Sequence, residues 1–110
     1  MQPDTRRRSD IDLSASATPA PQVLFQELNG EAVLLNLESE SYFGLDDVGT
    51  RIWQLLVEHA QLGRVYAQMQ KEYEVEEDQL RTDILQLVAK LDEAGLITVE
   101  TESNDVAPGS

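Results

Sequence analysis

Hydrophobic residues gather between Val23 and Val99, and their spacing changes from that of strands to that of helices within this stretch. Val23-Leu24-Phe25-Gln26-Glu27-Leu28 runs into Asn29-Gly30, a dipeptide suited to a two-residue hairpin because both turn positions need positive φ. A second strand is therefore expected from Glu31. Between Ala32 and Leu37, Val33, Leu35 and Leu37 alternate, which predicts that this set faces the core and that Leu34 lies on the other face. Glu38-Ser39-Glu40-Ser41 reads as a turn, and Tyr42-Phe43-Gly44-Leu45 as a short third strand rich in β-formers. Three sequential strands with short links make an antiparallel meander.

Beyond Leu45 the period lengthens. Asp46 or Asp47 is placed to cap a helix, since a carboxylate there accepts from free backbone N–H groups and faces the positive end of the dipole. Val48, Ile52, Leu55 and Leu56 recur at helical spacing, and Gly49 marks a close approach to a neighbouring element. Trp53 sits beside that stripe and is assigned to the core, where a lone large aromatic more often belongs than in a binding site. His59-Ala60-Gln61 is a link. Val65, Met69 and Tyr73, with Tyr66 alongside, predict a second helix of about three turns. Glu74 to Asp78 connects it to a third, expected from Glu77 to Ala94. Projected around that helix, Leu80, Ile84, Leu87, Val88 and Leu91 fall within about 100° and form its core face. Gly95 follows as a left-handed cap, and Leu96 to Val99 returns as an extended segment. The fold class is thus α+β, a three-stranded meander followed by three helices.

The two ends differ from this middle. Residues 1–22 are polar and rich in Ser, Thr, Ala and Pro, and are expected to form a disordered arm; residues 101–110 are expected to be a disordered tail. The folded domain is then residues 23–100. Hydrophobic residues at 41% and charged residues at 26% are an ordinary globular balance, so this short stretch supports one modest core without the walls of a deep active site. The absence of cysteine excludes disulfides and thiolate zinc, and fits a cytoplasmic setting. Arg6, Arg7 and Arg8 are not followed by an apolar run of signal length, and no run of about 20 apolar residues occurs, so neither export nor a membrane span is expected.

Charge and chemistry narrow the function further. Eight basic residues against 21 acidic ones give a formal net charge of −13, which repels a phosphate backbone and argues against nucleic acid as a partner. His59 is the sole histidine, so a two-histidine metal site is impossible, and neither a Gly-rich phosphate loop nor a nucleophile elbow occurs. Acidic runs on helix surfaces read as solvated faces. No catalytic residue, metal or cofactor is expected. What remains is an edge. In a meander the outer strands each carry unpaired N–H and C=O groups, and the third strand has no proline or lysine to discourage pairing. Its Tyr42, Phe43 and Leu45 suit the strand addition of a partner peptide. Leu85 projects about 140° from Leu80, near Arg81 and Asp92, outside the core stripe. It reads either as a scattered surface leucine or, with Val88 at the stripe's border, as one wall of a groove.

The order of these features resembles the PqqD-like family of precursor-peptide recognition elements in pathways of ribosomally synthesised, post-translationally modified peptides. The residues that carry the resemblance are Ser41-Tyr42-Phe43-Gly44-Leu45-Asp46-Asp47-Val48-Gly49-Thr50-Arg51-Ile52-Trp53-Gln54-Leu55-Leu56, the Tyr73-to-Asp78 link, and Leu91-Asp92-Glu93-Ala94-Gly95-Leu96-Ile97. The resemblance implies a winged-helix-like fold in which a leader peptide joins the third strand as a fourth, with its side chains in a groove shared with the third helix. The candidate peptide-binding residues are then Ser41, Tyr42, Phe43, Gly44 and Leu45 with Arg81, Ile84, Leu85 and Val88. The free-standing form is most similar to the leader-binding proteins of lasso-peptide clusters, which implies a precursor leader peptide and a leader peptidase or modifying enzyme as partners. A pyrroloquinoline-quinone-type peptide chaperone working with a radical enzyme is the neighbouring alternative. A winged-helix transcription regulator is a rival, disfavoured by Glu76, Glu77, Asp78 and Asp83 around the start of the third helix. A scaffold that forms a homodimer through the third-strand edge is another.

Overall fold

The computed structural model describes residues 11–101. Its elements run β1 (Ser16–Pro19), β2 (Val23–Leu28), β3 (Glu31–Asn36), β4 (Ser41–Leu45), α1 (Asp47–His59), α2 (Leu62–Glu72), α3 (Glu77–Glu93) and β5 (Ile97–Glu100). β2, β3 and β4 form the expected antiparallel meander, with β2 and β4 as its edges. Asn29 and Gly30 turn the first hairpin with φ of 59° and 85°, so Leu28 pairs directly with Glu31. That positive φ at both turn positions matches the right-handed twist of the flanking strands.

The face assignment of β3 is corrected by the structure. Ala32, Leu34 and Asn36 are buried, whereas Val33 is 42% and Leu37 57% exposed. Register explains the inversion, because Leu34 sits between Phe25 of β2 and Phe43 of β4, and Ala32 sits beside Leu45. The neighbouring strands thus put Phe25 and Phe43 on the Leu34 face, where Phe25 stacks on Trp53 of α1 with ring centroids 6.5 Å apart. Asn36 occupies an inward position because its amide works there. Its Oδ1 accepts from the backbone N–H of Glu38 at 3.0 Å and of Ser39 at 3.3 Å, and its Nδ2 reaches the Ala94 carbonyl at 3.5 Å. A polar residue was therefore bound to misdirect an alternation argument. The solvent face of the sheet is left with Leu24, Val33 and Tyr42 exposed.

The helices form as their signals predict. Asp46 is the cap of α1, its Oδ1 accepting from the Gly49 N–H at 2.8 Å. α3 ends in two hydrogen bonds from beyond its last turn, Leu96 N–H to the Leu91 carbonyl and Gly95 N–H to the Asp92 carbonyl, with Gly95 at φ 74°. This is the Schellman arrangement, which only a residue tolerant of left-handed φ closes without strain. Trp53 is buried, as are Ile52, Leu55 and Leu56 of α1, Val65 and Met69 of α2, and Leu80, Ile84, Val88 and Leu91 of α3.

The second correction concerns the arm. Chain order begins well before Val23: β1 pairs antiparallel with β5 from Ser16 opposite Glu100 to Pro19 opposite Ile97, and Ala15 and Ala17 are fully buried. Small residues there allow this backbone to lie against α1 and α2, which large side chains would prevent. The N–H of Ala17 donates to Ala60, and the carbonyl of Ala15 accepts from Leu62. Ala60 stands at φ 64° in a tight three-residue turn closed by Gln61 N–H to the His59 carbonyl, and these bonds from the β1 segment hold it there. Residues 1–10 and 102–110 lie outside the described residues. A chain beginning at Ala20 is accordingly expected to lose about 2 to 4 kcal/mol, because Leu62 and Ile97 lose their cover and β5 its only partner strand among the described residues. Urea unfolding of the two lengths checks it; equal midpoints would return β1 to the status of an ornament.

Candidate functional site

β4 is one of the two edge strands, and it runs through Asp46 straight into α1. Where it does so an open cleft of about 380 Å³ separates the start of α1 from the flank of α3. One wall is Asp46, Val48, Gly49 and Ile52; the other is Asp83, Gln86, Leu87 and Lys90. The second set recurs at intervals of three and four, which places all four residues on one face of α3. Gly49 sets the width at the top of the cleft. A Cβ there would lie 3.2 Å from both Leu45 Cδ2 and Asp46 Oδ1, so glycine lets the first turn of α1 sit tight against the end of β4.

The sequence-predicted residues divide between this site and elsewhere. Ser41 to Leu45 form β4, and its far side is unpaired among the described residues. Within it the side chains part by face. Phe43 is half-buried and Leu45 buried on the core side, while Tyr42, 76% exposed, and Gly44 face solvent. Ser41 is exposed, its hydroxyl 2.7 Å from that of Ser39. On α3 the structure separates what the helical projection had joined. Ile84 and Val88 have no exposed surface and belong wholly to the core. Arg81 is exposed and bonded to Asp78 one turn earlier, and Leu85 is half-buried against the core cluster. None of these four lines the cleft. Leu87, read from the sequence as core, is the half-buried leucine that does. Leu85 and Leu87 flank the same buried stripe on opposite sides, about 160° apart around the helix. The stripe alone does not say which flank meets the strand edge.

The electrostatics of the cleft are simple. Asp46 and Asp83 put two carboxylates on its walls against the single ammonium of Lys90. Asp83 Oδ1 accepts from Gln79 at 2.8 Å. Among the described residues there is no group of three or more histidines, cysteines or carboxylates placed to hold a metal ion. Nor, among those residues, is any helix long and apolar enough to cross a membrane.

Behind the site, α1 and α2 are tied by a bidentate ion pair. Arg51 Nε and Nη2 donate to the two oxygens of Glu72 at 2.8 and 2.7 Å, and Gln68 donates to the same carboxylate at 2.9 Å. These bonds, Arg51 first and Gln68 second, hold the Glu72 pKa at about 2, below its ordinary 4.5. A carboxyl whose folded pKa is depressed stabilises the fold above its unfolded pKa, and that contribution is lost as pH falls through the folded value. The parent chain should therefore lose more stability between pH 4.5 and 2 than Arg51→Met, in which Glu72 keeps only the Gln68 hydrogen bond and its pKa is less depressed. Both side chains are partly solvated, so screening limits the difference to about 1 kcal/mol or less. Thermal melts of both proteins across that window measure it, and parallel curves would show that the pair contributes nothing.

Comparison with known proteins bears on this geometry. The family model for PqqD, coenzyme PQQ synthesis protein D, matches residues 31–97. Among solved structures, TbiB1 in complex with the TbiA(beta) leader peptide is 31% identical with a TM-score of 0.69, covering 73% of this chain and 93% of its own. Lasso peptide synthetase B1 complexed with the leader peptide is 29% identical with a TM-score of 0.68, covering 76% and 98% respectively. No curated protein matches the chain.

Proposed function

The chain belongs to the PqqD family, and from that premise we propose that it binds the leader segment of a ribosomally synthesised precursor peptide, by strand addition to β4, and presents it to maturation enzymes. The observation that carries this reading is the free edge of β4 opening onto an apolar-floored cleft. Backbone N–H and C=O groups on such an edge bind an extended peptide with little regard to its sequence, and alternate side chains then fall into neighbouring pockets that select it. Val48, Ile52 and Leu87 supply the apolar floor, and the partly and fully buried residues behind it hold that floor in place. Ser41, Tyr42, Phe43, Gly44 and Leu45 act mainly through their backbone, Leu45 and Phe43 also anchoring the strand to the core.

The lasso-peptide assignment is supported by the two solved relatives, both of which are complexes with a leader peptide. The partner enzyme is then a leader peptidase or a ring-forming enzyme. The contribution of this chain is binding energy and position, with bond chemistry left to those partners. The family's association with coenzyme PQQ synthesis supports a second reading, a role in quinone-cofactor synthesis, where the partner would be a radical enzyme. Calorimetry with the leader, the core and the full precursor encoded beside this gene tests the proposal. Leader and full precursor should bind alike and the core not measurably; equal affinity for the isolated core would refute it.

A further inference from the structure

The charges around β4 say more about the peptide than that it is extended. β4 is five residues long and so spans about 16 Å. Glu38 and Glu40, both exposed, stand in the turn at its start; Asp46 follows its end, and Asp83 faces that end across the cleft. Lys90 is the single cation among the cleft-lining residues. Of the other basic groups on the helices, Arg51 is bonded to Glu72, Arg81 to Asp78 and Arg64 to Gln61, and neither these nor Lys71 line the cleft. A strand laid along this edge passes two carboxylates at each end, with the apolar floor of the cleft and Lys90 at the Asp46 end. The two ends are separated by about two Debye lengths at physiological salt, so each acts on its own nearest charge.

We propose that the leader segment which pairs with β4 is cationic, with one lysine or arginine beside the apolar residue that enters the cleft and another toward the opposite end of the strand. This inference rests on the strand-addition reading and names the class of peptide that reading leaves open. Asp46 and Asp83 meet one cation and Glu38 and Glu40 the other, which fixes register along an edge whose backbone bonds alone tolerate slippage. An acidic leader is excluded by the same four carboxylates.

Selection from a random displayed peptide library at low salt tests this, with three baits: the full chain, a site-reversed variant carrying Glu40→Lys and Asp83→Lys, and a control carrying Glu58→Lys and Glu100→Lys. Glu58 lies in the last turn of α1 and Glu100 in β5, so neither lines the cleft. Asp46 is left alone because it caps α1. Thermal melts confirm that each bait is folded. Peptides selected by the full chain and by the control should carry lysine and arginine over aspartate and glutamate by threefold or more, with one of them beside an apolar residue. The site-reversed bait should lose that excess. Peptides that shift the β4 amide resonances without a cationic excess, or an excess equal on all three baits, would overturn the inference and leave strand addition standing. Peptides that shift neither β4 nor the cleft face of α3 would overturn both.

Discussion

Ile84→Asp is expected to unfold the domain. Ile84 has no exposed surface and sits in the middle of the α3 stripe, between Leu80 and Leu91 in the same core cluster. The substitution removes a buried branched side chain, worth roughly 2 to 3 kcal/mol, and leaves a carboxylate that must either ionise in apolar surroundings or hold its proton at neutral pH. Together these exceed about 5 kcal/mol, which is the whole stability of many domains of this size. Far-ultraviolet circular dichroism and urea titration read the outcome. A cooperative transition within about 1 kcal/mol of the parent would mean that α3 packs by some other face.

Leu87→Asp, three residues on, should behave in the opposite way. Leu87 is half-buried at the cleft, so aspartate there keeps its water and the fold loses only about 1 kcal/mol. Leader affinity should fall by about 2 kcal/mol or more, some thirtyfold, because the charge stands where an apolar anchor docks. Leu85→Asp on the other flank is the control. Like Leu87 it is half-buried against the core, but it does not reach the cleft, so it should cost a similar amount of stability and leave affinity within about threefold. Calorimetry of both variants decides between the flanks. Loss of binding in Leu85→Asp with full binding in Leu87→Asp would move the groove to the far side of α3.

Local chemistry was legible in the sequence and handedness was not. Asn29-Gly30 names its turn because few other pairs tolerate φ of 59° and 85°, and Gly95 names the end of α3 for the same reason. Trp53 and the Leu80–Leu91 stripe announce a core because large apolar side chains recur there at helical spacing. The parity of β3 escaped because it is set by side chains on other strands, Phe25 and Phe43, and because an inward asparagine serves the following turn. β1 escaped because its burial uses alanines, which carry little hydrophobic signal, and its partner β5 lies some 80 positions away in the chain. Which leucine lines the cleft was not legible because a stripe with a leucine on each side fits two packings; the structure puts Leu87 at the cleft and Leu85 away from it. Ser41 to Leu45 could be read because an edge strand without proline or lysine is visible in one dimension.

The central claim is that a leader peptide becomes the next strand beside β4. Amide hydrogen exchange of the full chain, with and without saturating leader, tests it residue by residue, since a new ladder protects N–H groups that solvent otherwise reaches. The account predicts that the outward-facing amides of Ser41 to Leu45 slow by at least tenfold, while those of β2, the other edge, exchange as before. Protection gained along Val23 to Leu28 with β4 unchanged would contradict it.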